Sequence, residues 1–193
     1  MGGTFDQMMS LAADILEQAG QLERLTLSFT PRHDRMVIQT PAFETIGAHR
    51  QTVDALATAV GVTASLKMEP VRSYSAEAHQ EDVHVIILAT APPTSLTRGP
   101  EANRSTSTSE TVELLRSIAP WADSLDPALA HTLTILDYGT HLGPMLHIDG
   151  AGDRAGAAGK AVADLPADID VRWYGSQGEA MLPTGHTLNI TTL

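Results

Sequence analysis

The sequence has 193 residues, of which 42% are hydrophobic, none is cysteine, and 23 acidic side chains outnumber 12 basic ones. This hydrophobic content can bury a proper core, which excludes extensive disorder, and the length fits one sizeable domain or two small ones. The net charge of −11 disfavours direct binding to nucleic acid or to an anionic membrane, and the lack of cysteine excludes disulfides, thiolate metal sites and thiol nucleophiles.

The N-terminal segment does not have the composition of a secretion signal. It lacks basic residues and carries Asp6, Asp14 and Glu17. The longest apolar run, residues 83–91, is interrupted by His84 and is far shorter than the roughly 20 residues that span a bilayer. The sequence therefore predicts a soluble, cytoplasmic protein that does not enter a membrane.

The first half contains a regular series of predicted elements. Residues 5–19 place apolar side chains on one helical face, with Thr4 and Gln7 spaced as a capping box and Gly20 as the stop. The following pattern predicts a hairpin of residues 25–29 and 36–40, a helix over 44–60, strands over 62–68 and 82–90, and a short extra strand near 71–74.

A Pro-, Ser- and Thr-rich segment, residues 92–109, is typical of a linker and lies near the middle of the chain. A helix is predicted to start at its end, because Ser107 and Glu110 have capping-box spacing before an apolar stripe. The elements predicted after this helix are strands over 132–137 and 145–149, a helix over 154–165, and strands over 169–174 and 186–191.

The two halves have the same element order, helix-strand-strand-helix-strand-strand. Leu25-Thr-Leu27 matches Leu133-Thr-Ile135 at a separation of 108 residues, and the other strands match at separations of 103 to 110. The sequence therefore predicts an α+β fold of two tandem αββαββ repeats, residues 1–91 and 110–193. These would form a pseudo-two-fold, fused-dimer molecule with antiparallel sheets covered by helices. The alternative is that two small units share this element order by chance. It also stays open whether the two sheets join at their edges or pack through their helices.

Imidazoles and carboxylates gather near strand ends of the second half, at Asp137, His141, His147, Asp149 and His186. His147 and Asp149 share a strand face, and a His-x-Asp pair with a distant histidine is the ligand set of a facial-triad metal site. His147, Asp149 and His186 are therefore the metal candidates. The alternative is a polar outer strand face, which the repeat favours because Val37 and Gln39 occupy the corresponding positions.

Other motifs are incomplete. The glycine-rich residues 150–160 lack the spacing of a phosphate-binding loop, and residues 175–178 resemble a turn more than a nucleophile elbow. Four polar residues ahead of the fourth strand could each contact a ligand or an ion, but a solvated loop or edge strand is the favoured interpretation: Glu77, His79, Glu81 and Asp82. His84 interrupts an apolar strand, which favours a structural histidine.

No catalytic motif is complete, so we expect no catalytic residue and no cofactor. The leading hypothesis is an acidic, non-enzymatic binding or scaffolding module that acts through protein–protein interaction, with homo-oligomerisation left open. One alternative is a small metal-dependent enzyme that uses His147, Asp149 and His186. A second alternative is an acidic decoy of nucleic acid.

Overall fold

The computed structural model describes residues 3–22, 24–41, 46–68, 72–90, 107–123, 125, 130–137, 142–148, 169–175 and 177–192, without the side chains of residues 130 and 131. The helices in these ranges are α1 (Phe5–Ala19), α2 (Ile46–Ala59) and α3 (Thr108–Ala122), with a 3-10 turn at Pro31–His33. The strands are β1 (Thr26–Thr30), β2 (Arg35–Gln39), β3 (Ser65–Lys67), β4 (Ser73–Gln80), β5 (Val83–Thr90), β6 (Ala130–Asp137), β7 (Leu142–Ile148), β8 (Val171–Tyr174), β9 (Gln177–Met181) and β10 (Thr187–Thr192).

Helix α1 combines a capped start, an amphipathic pattern and a defined stop. The Thr4 hydroxyl accepts a hydrogen bond from the Gln7 backbone N–H at 3.2 Å. Gly20 ends the helix with a φ of 83°, which glycine adopts without strain. The buried face consists of Phe5, Met8, Met9, Ala12, Ala13, Ile15 and Leu16. Helix α3 begins with the predicted capping box, in which Ser107 and Glu110 each accept a hydrogen bond from the other's backbone N–H.

The ten described strands form one sheet, in the order β3-β4-β5-β2-β1-β6-β7-β10-β9-β8. The pairs β2–β5 and β7–β10 are parallel, and the other seven neighbouring pairs in this sheet are antiparallel. Strands β1 and β6 are central neighbours. The two halves of the chain therefore meet by backbone hydrogen bonding in the middle of the sheet.

The helices cover one face of this sheet. Side chains alternate between the faces of a strand, and β5 follows this rule with buried and half-buried residues in turn. Helix α2 contacts β4 and β5, whereas α1 contacts β1, α2 and α3. The buried apolar residues of both halves belong to one core cluster. The opposite face, which we call the outer face, carries the half-buried positions.

The central β1–β6 pair is closely matched. Its antiparallel register sets Leu27 opposite Ile135 and Phe29 opposite Leu133, all fully buried on the helical side. On the outer face the Oγ atom of Ser28 lies 3.3 Å from Oγ1 of Thr134, which is directly opposite. Cross-strand apolar pairs and hydroxyl pairs both stabilise a sheet, so this junction is stabilised on its two faces.

The α+β class is confirmed, but the predicted arrangement needs correction. All ten described strands belong to one sheet, so the chain does not separate clearly into two units with their own sheets. The sheet is mixed rather than antiparallel, because β2–β5 and β7–β10 pair in parallel. The helix predicted over 154–165 and the linker over 92–106 lie outside the described residues, and the division into repeats 1–91 and 110–193 stays a prediction.

Two strands exceed what the periodicity predicts. Strand β4 spans eight residues where a short strand near residues 71–74 was expected, and β9 was not predicted at all. Both face the helical side with small residues: Ala76 and Ala78 in β4, Gly178 and Ala180 in β9. Small side chains give little of the apolar signal that identifies a strand, so the length of β4 and the presence of β9 were missed.

No helix in the described ranges has both the length and the apolar character needed to cross a membrane.

Tyr74 ties helix α2 to strand β4, and its removal should cost stability. The ring is 6% exposed, its hydroxyl donates to Asp54 Oδ1 at 2.6 Å, and the Arg50 guanidinium carbon lies 4.7 Å from the ring centroid. Replacing Tyr74 with Phe removes one hydrogen bond to a charged acceptor and keeps the ring. We expect chemical denaturation to give a loss of about 1 to 2 kcal/mol in the free energy of unfolding.

Tyr174→Phe is the matched control, since Tyr174 is exposed on β8, and its effect should be close to zero. Equal effects of the two substitutions would contradict the assignment of this contact.

Candidate functional site

The predicted metal candidates do not converge in the described part of the chain. His147 lies on the outer face of β7, with Nδ1 2.7 Å from Thr191 Oγ1 of β10. His186 precedes β10, and its Nδ1 is 3.0 Å from Thr184 Oγ1. Each histidine therefore has a local hydroxyl partner.

The register of β7 and β10 sets these two histidines apart. The parallel pairing matches His147 with Thr191, so His186 is level with Leu142, five residues away. At about 3.3 Å per residue, that separation is roughly 16 Å along the strands. One metal ion cannot bridge such a distance between two imidazoles.

The complete set of His147, Asp149 and His186 remains a prediction, because Asp149 lies outside the described residues. Among the residues described, no group of three His, Cys, Asp or Glu side chains could hold a metal ion. Elemental analysis of the purified protein and of His147→Ala tests the set. A stoichiometric metal that this substitution removes would support the enzyme hypothesis.

A different polar cluster occupies the outer face of the first half, and the sequence did not reveal it. It consists of Lys67 on β3, Glu77 and His79 on β4, and His84 on β5, which we call the Glu77 cluster. The Lys67 ammonium donates to Glu77 Oε1, and His84 Nε2 lies 3.4 Å from Glu77 Oε2. The rings of His79 and His84 stack with centroids 4.7 Å apart and 12° between their planes.

Strand pairing explains why these residues meet. The β4–β5 register sets His79 directly opposite His84, and Glu77 shares their face because it lies two residues before His79. The sequence assigns Glu77 and His79 to a solvated loop or edge strand, and in the structure both are exposed residues of β4. The alternation of Ala76 and Ala78 with polar residues was the signal that could have revealed the strand.

The Glu77 carboxylate is held in its charged form. The hydrogen bond and charge of Lys67 lower the pKa of Glu77, the partial burial of the carboxyl opposes this, and His84 adds a smaller lowering effect. The side chains of Glu77 and Lys67 are nearly half exposed, so water screens the pair. The cluster is a surface ion-pair network with stacked imidazoles.

The outer edges of the sheet carry exposed apolar side chains. Among the described residues, five large apolar side chains are exposed: Leu66 (49% exposed), Met68 (64%), Trp173 (40%), Tyr174 (60%) and Met181 (60%). Leu66 and Met68 lie in or beside β3, and the other three lie on β8 and β9. Both ends of the strand order are therefore apolar at the surface, whereas the centre is not.

Trp173 is held flat against the sheet at its edge. Gly178 of β9 lies directly opposite it, and a Cβ atom at residue 178 would be 2.9 Å from the indole ring. The glycine therefore leaves the space that the ring occupies. The indole ring packs against the backbone at Gly178, and the side chain remains partly exposed to solvent. Tryptophan residues at protein interfaces are often placed in this way.

A groove runs between α1 and α3 on the helical side of the molecule, with a volume of about 730 Å³. Leu22 N–H donates to Thr108 Oγ1 at 2.9 Å, and Arg116 donates to Glu17 at 2.8 Å and to Asp14 at 3.3 Å, so the helices are antiparallel. The groove is lined by Leu16, Glu17, Gly20, Gln21, Thr108, Ser109, Val112, Glu113, Arg116 and Ser117.

Comparison with known proteins gives no match: neither a family model, nor a curated protein, nor a solved structure is similar to this chain.

Lys67→Met should raise the pKa of Glu77 toward its ordinary value of about 4.3. The folded pKa is lowered, so the ionised carboxylate stabilises the fold above that ordinary value and the stabilisation is lost as pH falls through the lowered one. We expect a carbon-detected NMR titration of Glu77 to move upward in Lys67→Met, and by less in His84→Ala.

Arg116→Met is the control, since it removes a cation from the opposite face and should leave the titration unchanged. A larger shift in His84→Ala than in Lys67→Met would contradict the assigned order of causes.

Proposed function

We propose that the chain is a non-enzymatic binding module that acts through protein–protein interaction at the outer edges of its sheet. The observation that carries this proposal is the distribution of exposed apolar side chains, which are confined to the two ends of the strand order. Contiguous apolar surface on a folded protein marks an interaction site more often than chance. The Glu77 cluster and the separated histidines His147 and His186 give no comparable support to an enzymatic function.

Edge strands also offer backbone hydrogen-bonding groups. Within the described sheet, β3 and β8 each pair with a neighbour on one side only. An extended segment of a partner can add there as a further strand, because main-chain N–H and C=O groups supply affinity and alternate side chains supply specificity. Many proteins block such edges with charges or proline.

The β8 edge is the stronger candidate of the two. Its four residues include two exposed aromatic side chains, Trp173 and Tyr174, and Arg172 is its one charged residue. Aromatic residues bury a large area at little cost in conformational entropy. Strand β3 has three residues, and its Lys67 is engaged with Glu77. We therefore assign the partner's extended segment to β8.

We further propose that the molecule is a fused pseudo-dimer of two related units. The strand order supports this, since β3-β4-β5-β2-β1 on one side corresponds to β8-β9-β10-β7-β6 on the other, with matching parallel and antiparallel pairs. Leu27 lies directly opposite Ile135, its counterpart at the separation of 108 residues, as expected if a pseudo-two-fold axis passes between them. The pseudo-two-fold axis would then relate the two edges that carry the exposed apolar side chains.

Under this proposal the protein has two binding edges at a fixed separation. Nine strand spacings of about 4.8 Å set them roughly 43 Å apart. A partner with two extended segments would gain affinity by binding both edges, because the second contact becomes intramolecular. The acidic charge keeps the scaffold soluble and is not the recognition element.

Site-specific photo-crosslinking in the native host tests the proposal. A benzophenone amino acid replaces Tyr174 on β8 or Met68 beside β3, and Gln51, exposed on α2, serves as the matched control position. We expect a discrete crosslinked partner at position 174, a weaker crosslink to the same partner at position 68, and none at position 51. The reason is that only the edge positions would be buried by strand addition.

Crosslinks of equal yield at all three positions would indicate nonspecific contact and contradict the proposal. Crosslinks only between copies of this chain would replace the partner with self-association. An absence of crosslinks at the two edges would also refute it.

A further inference from the structure

The free edge of β8 is complementary to the same edge of a second copy of this chain. We infer that β8 pairs with its own copy as an antiparallel strand, across a two-fold axis at Val171. The contact itself does not require the proposed partner. Only its role, which is to occupy the edge that the partner's segment would use, rests on the proposed function.

Side chains alternate along this edge. Ile169 and Val171 are half-buried and pack against the core, whereas Asp170 and Arg172 are exposed. This alternation is that of an extended strand with one face toward the helices, so residues 169 and 170 can extend β8 when a strand is added. The edge therefore presents apolar side chains on the helical side and one charge of each sign on the outer face.

A two-fold axis at Val171 brings unlike charges together. In the antiparallel pair, Asp170 of each copy lies opposite Arg172 of the other, with Cβ atoms about 4.5 to 5.5 Å apart. Both charges are available, because neither side chain is paired with another described residue. On the helical side, Ile169 of each copy lies opposite Trp173 of the other, and the side chain of Trp173 is 40% exposed. The contact is therefore complementary in charge on one face and apolar on the other.

The neighbouring registers are less favourable. An axis at Arg172 sets two guanidinium groups directly opposite each other, and like charges in that position destabilise a sheet. An axis at Trp173 sets Val171 opposite Gly175, whose φ of 67° belongs to the turn after β8. That register also separates Asp170 from Arg172 of the other copy. The axis at Val171 is therefore the register that the side chains favour.

The chain already contains a contact of this geometry at its centre. The antiparallel pairing of β1 with β6 sets Leu27 opposite Ile135, its counterpart 108 residues later. Two strands that correspond in the sequence therefore meet across the proposed pseudo-two-fold axis. A β8–β8 contact repeats this arrangement between two copies and continues the sheet from one molecule into the next.

The dimer is expected to be weak and reversible. Residues 169–173 of each copy are far fewer than the roughly 20 residues a side of a standard interface. The net charge of −11 on each copy also opposes association, so the contact depends on the local pairing of unlike charges. At concentrations where the chain is monomeric, the β8 edge remains open.

Self-pairing and partner binding exclude each other. One strand edge accepts one added strand, so a second copy at β8 must leave before a partner's segment can pair there. Under the proposed function, the dimer covers an edge that would otherwise be open to unspecific strand addition.

A single cysteine tests the register, because the chain has no cysteine of its own. In Val171→Cys the two thiols lie on the axis, with Cα atoms about 4.5 to 5.5 Å apart, which a disulfide bridges without strain. We expect mild oxidation of the purified protein to give a covalent dimer at least about tenfold faster than in Arg172→Cys or Gln51→Cys. Residue 172 lies more than about 7 Å from its own copy in this register, and Gln51 is exposed on α2.

A charge swap tests the ion pairs by sedimentation equilibrium. Asp170→Arg and Arg172→Asp should each weaken self-association by about tenfold, because each sets like charges opposite one another twice per dimer. The double variant has the wild-type net charge and restores the pairs, so its affinity should return to within about threefold of wild type. Arg35→Asp is the matched control, since Arg35 is exposed on β2 and the charge change equals that of Arg172→Asp. It should change the affinity less than about twofold.

A chain that stays monomeric up to about 1 mM would overturn the inference. It would also be overturned by a double variant no better than the single ones, or by faster oxidation of Arg172→Cys than of Val171→Cys. Circular dichroism checks the fold of each variant, and the cysteine and charge-swap experiments are independent, so an unfolded variant in one leaves the other decisive. These measurements use the purified chain alone, whereas the edge proposal is tested by crosslinks to a partner in the host. Either can therefore fail without the other.

Discussion

The antiparallel pairing of β1 with β6 is the interaction on which the rest of the structure depends. It joins the first strand of one half to the first strand of the other, with buried apolar pairs on the helical face and hydroxyl pairs such as Ser28 with Thr134 on the outer face. Because this pair closes two edges that would otherwise be exposed, the remaining free edges lie at the far ends of the sheet. The same pairing sets α1 beside α3, and the groove between those helices is its consequence.

The exposed apolar side chains therefore lie at the two ends of the sheet and not at its centre. The buried core runs through both halves without interruption, and exposed large apolar residues occur in the described chain at β3, β8 and β9, or directly beside them. The polar cluster around Glu77 is stabilised by an ion pair that water screens.

The sequence predicted the elements that are strongly periodic. Helices α1, α2 and α3 were predicted, α1 and α3 with their stop or capping residues, because Gly20 and the Ser107–Glu110 pair have local functions that spacing alone reveals. The hairpin β1–β2 was likewise predicted. Strand β4 was predicted only as a short segment near residues 71–74, and β9 was not predicted, since Ala and Gly on their buried faces carry little apolar signal. The same weak signal also concealed the Glu77 cluster. The pairing of β1 with β6 joins strands that are distant in the sequence, and no local pattern specifies which strand edges pair.

The metal set His147, Asp149 and His186 stays a prediction, although the β7–β10 register sets its two histidines far apart.

Residue-resolved hydrogen exchange of the free protein tests the central claim, which is one continuous sheet with a closed centre and open ends. The account predicts that the amides paired across β1 and β6, such as those of Leu27, Phe29 and Leu133, exchange slowest, through global unfolding. Protection should fall outward, and the outward-facing amides of β3 and β8 should exchange almost as fast as unstructured backbone. Rapid exchange at β1 and β6, with each half protected separately, would contradict the account. Edge strands as protected as the centre would contradict it too.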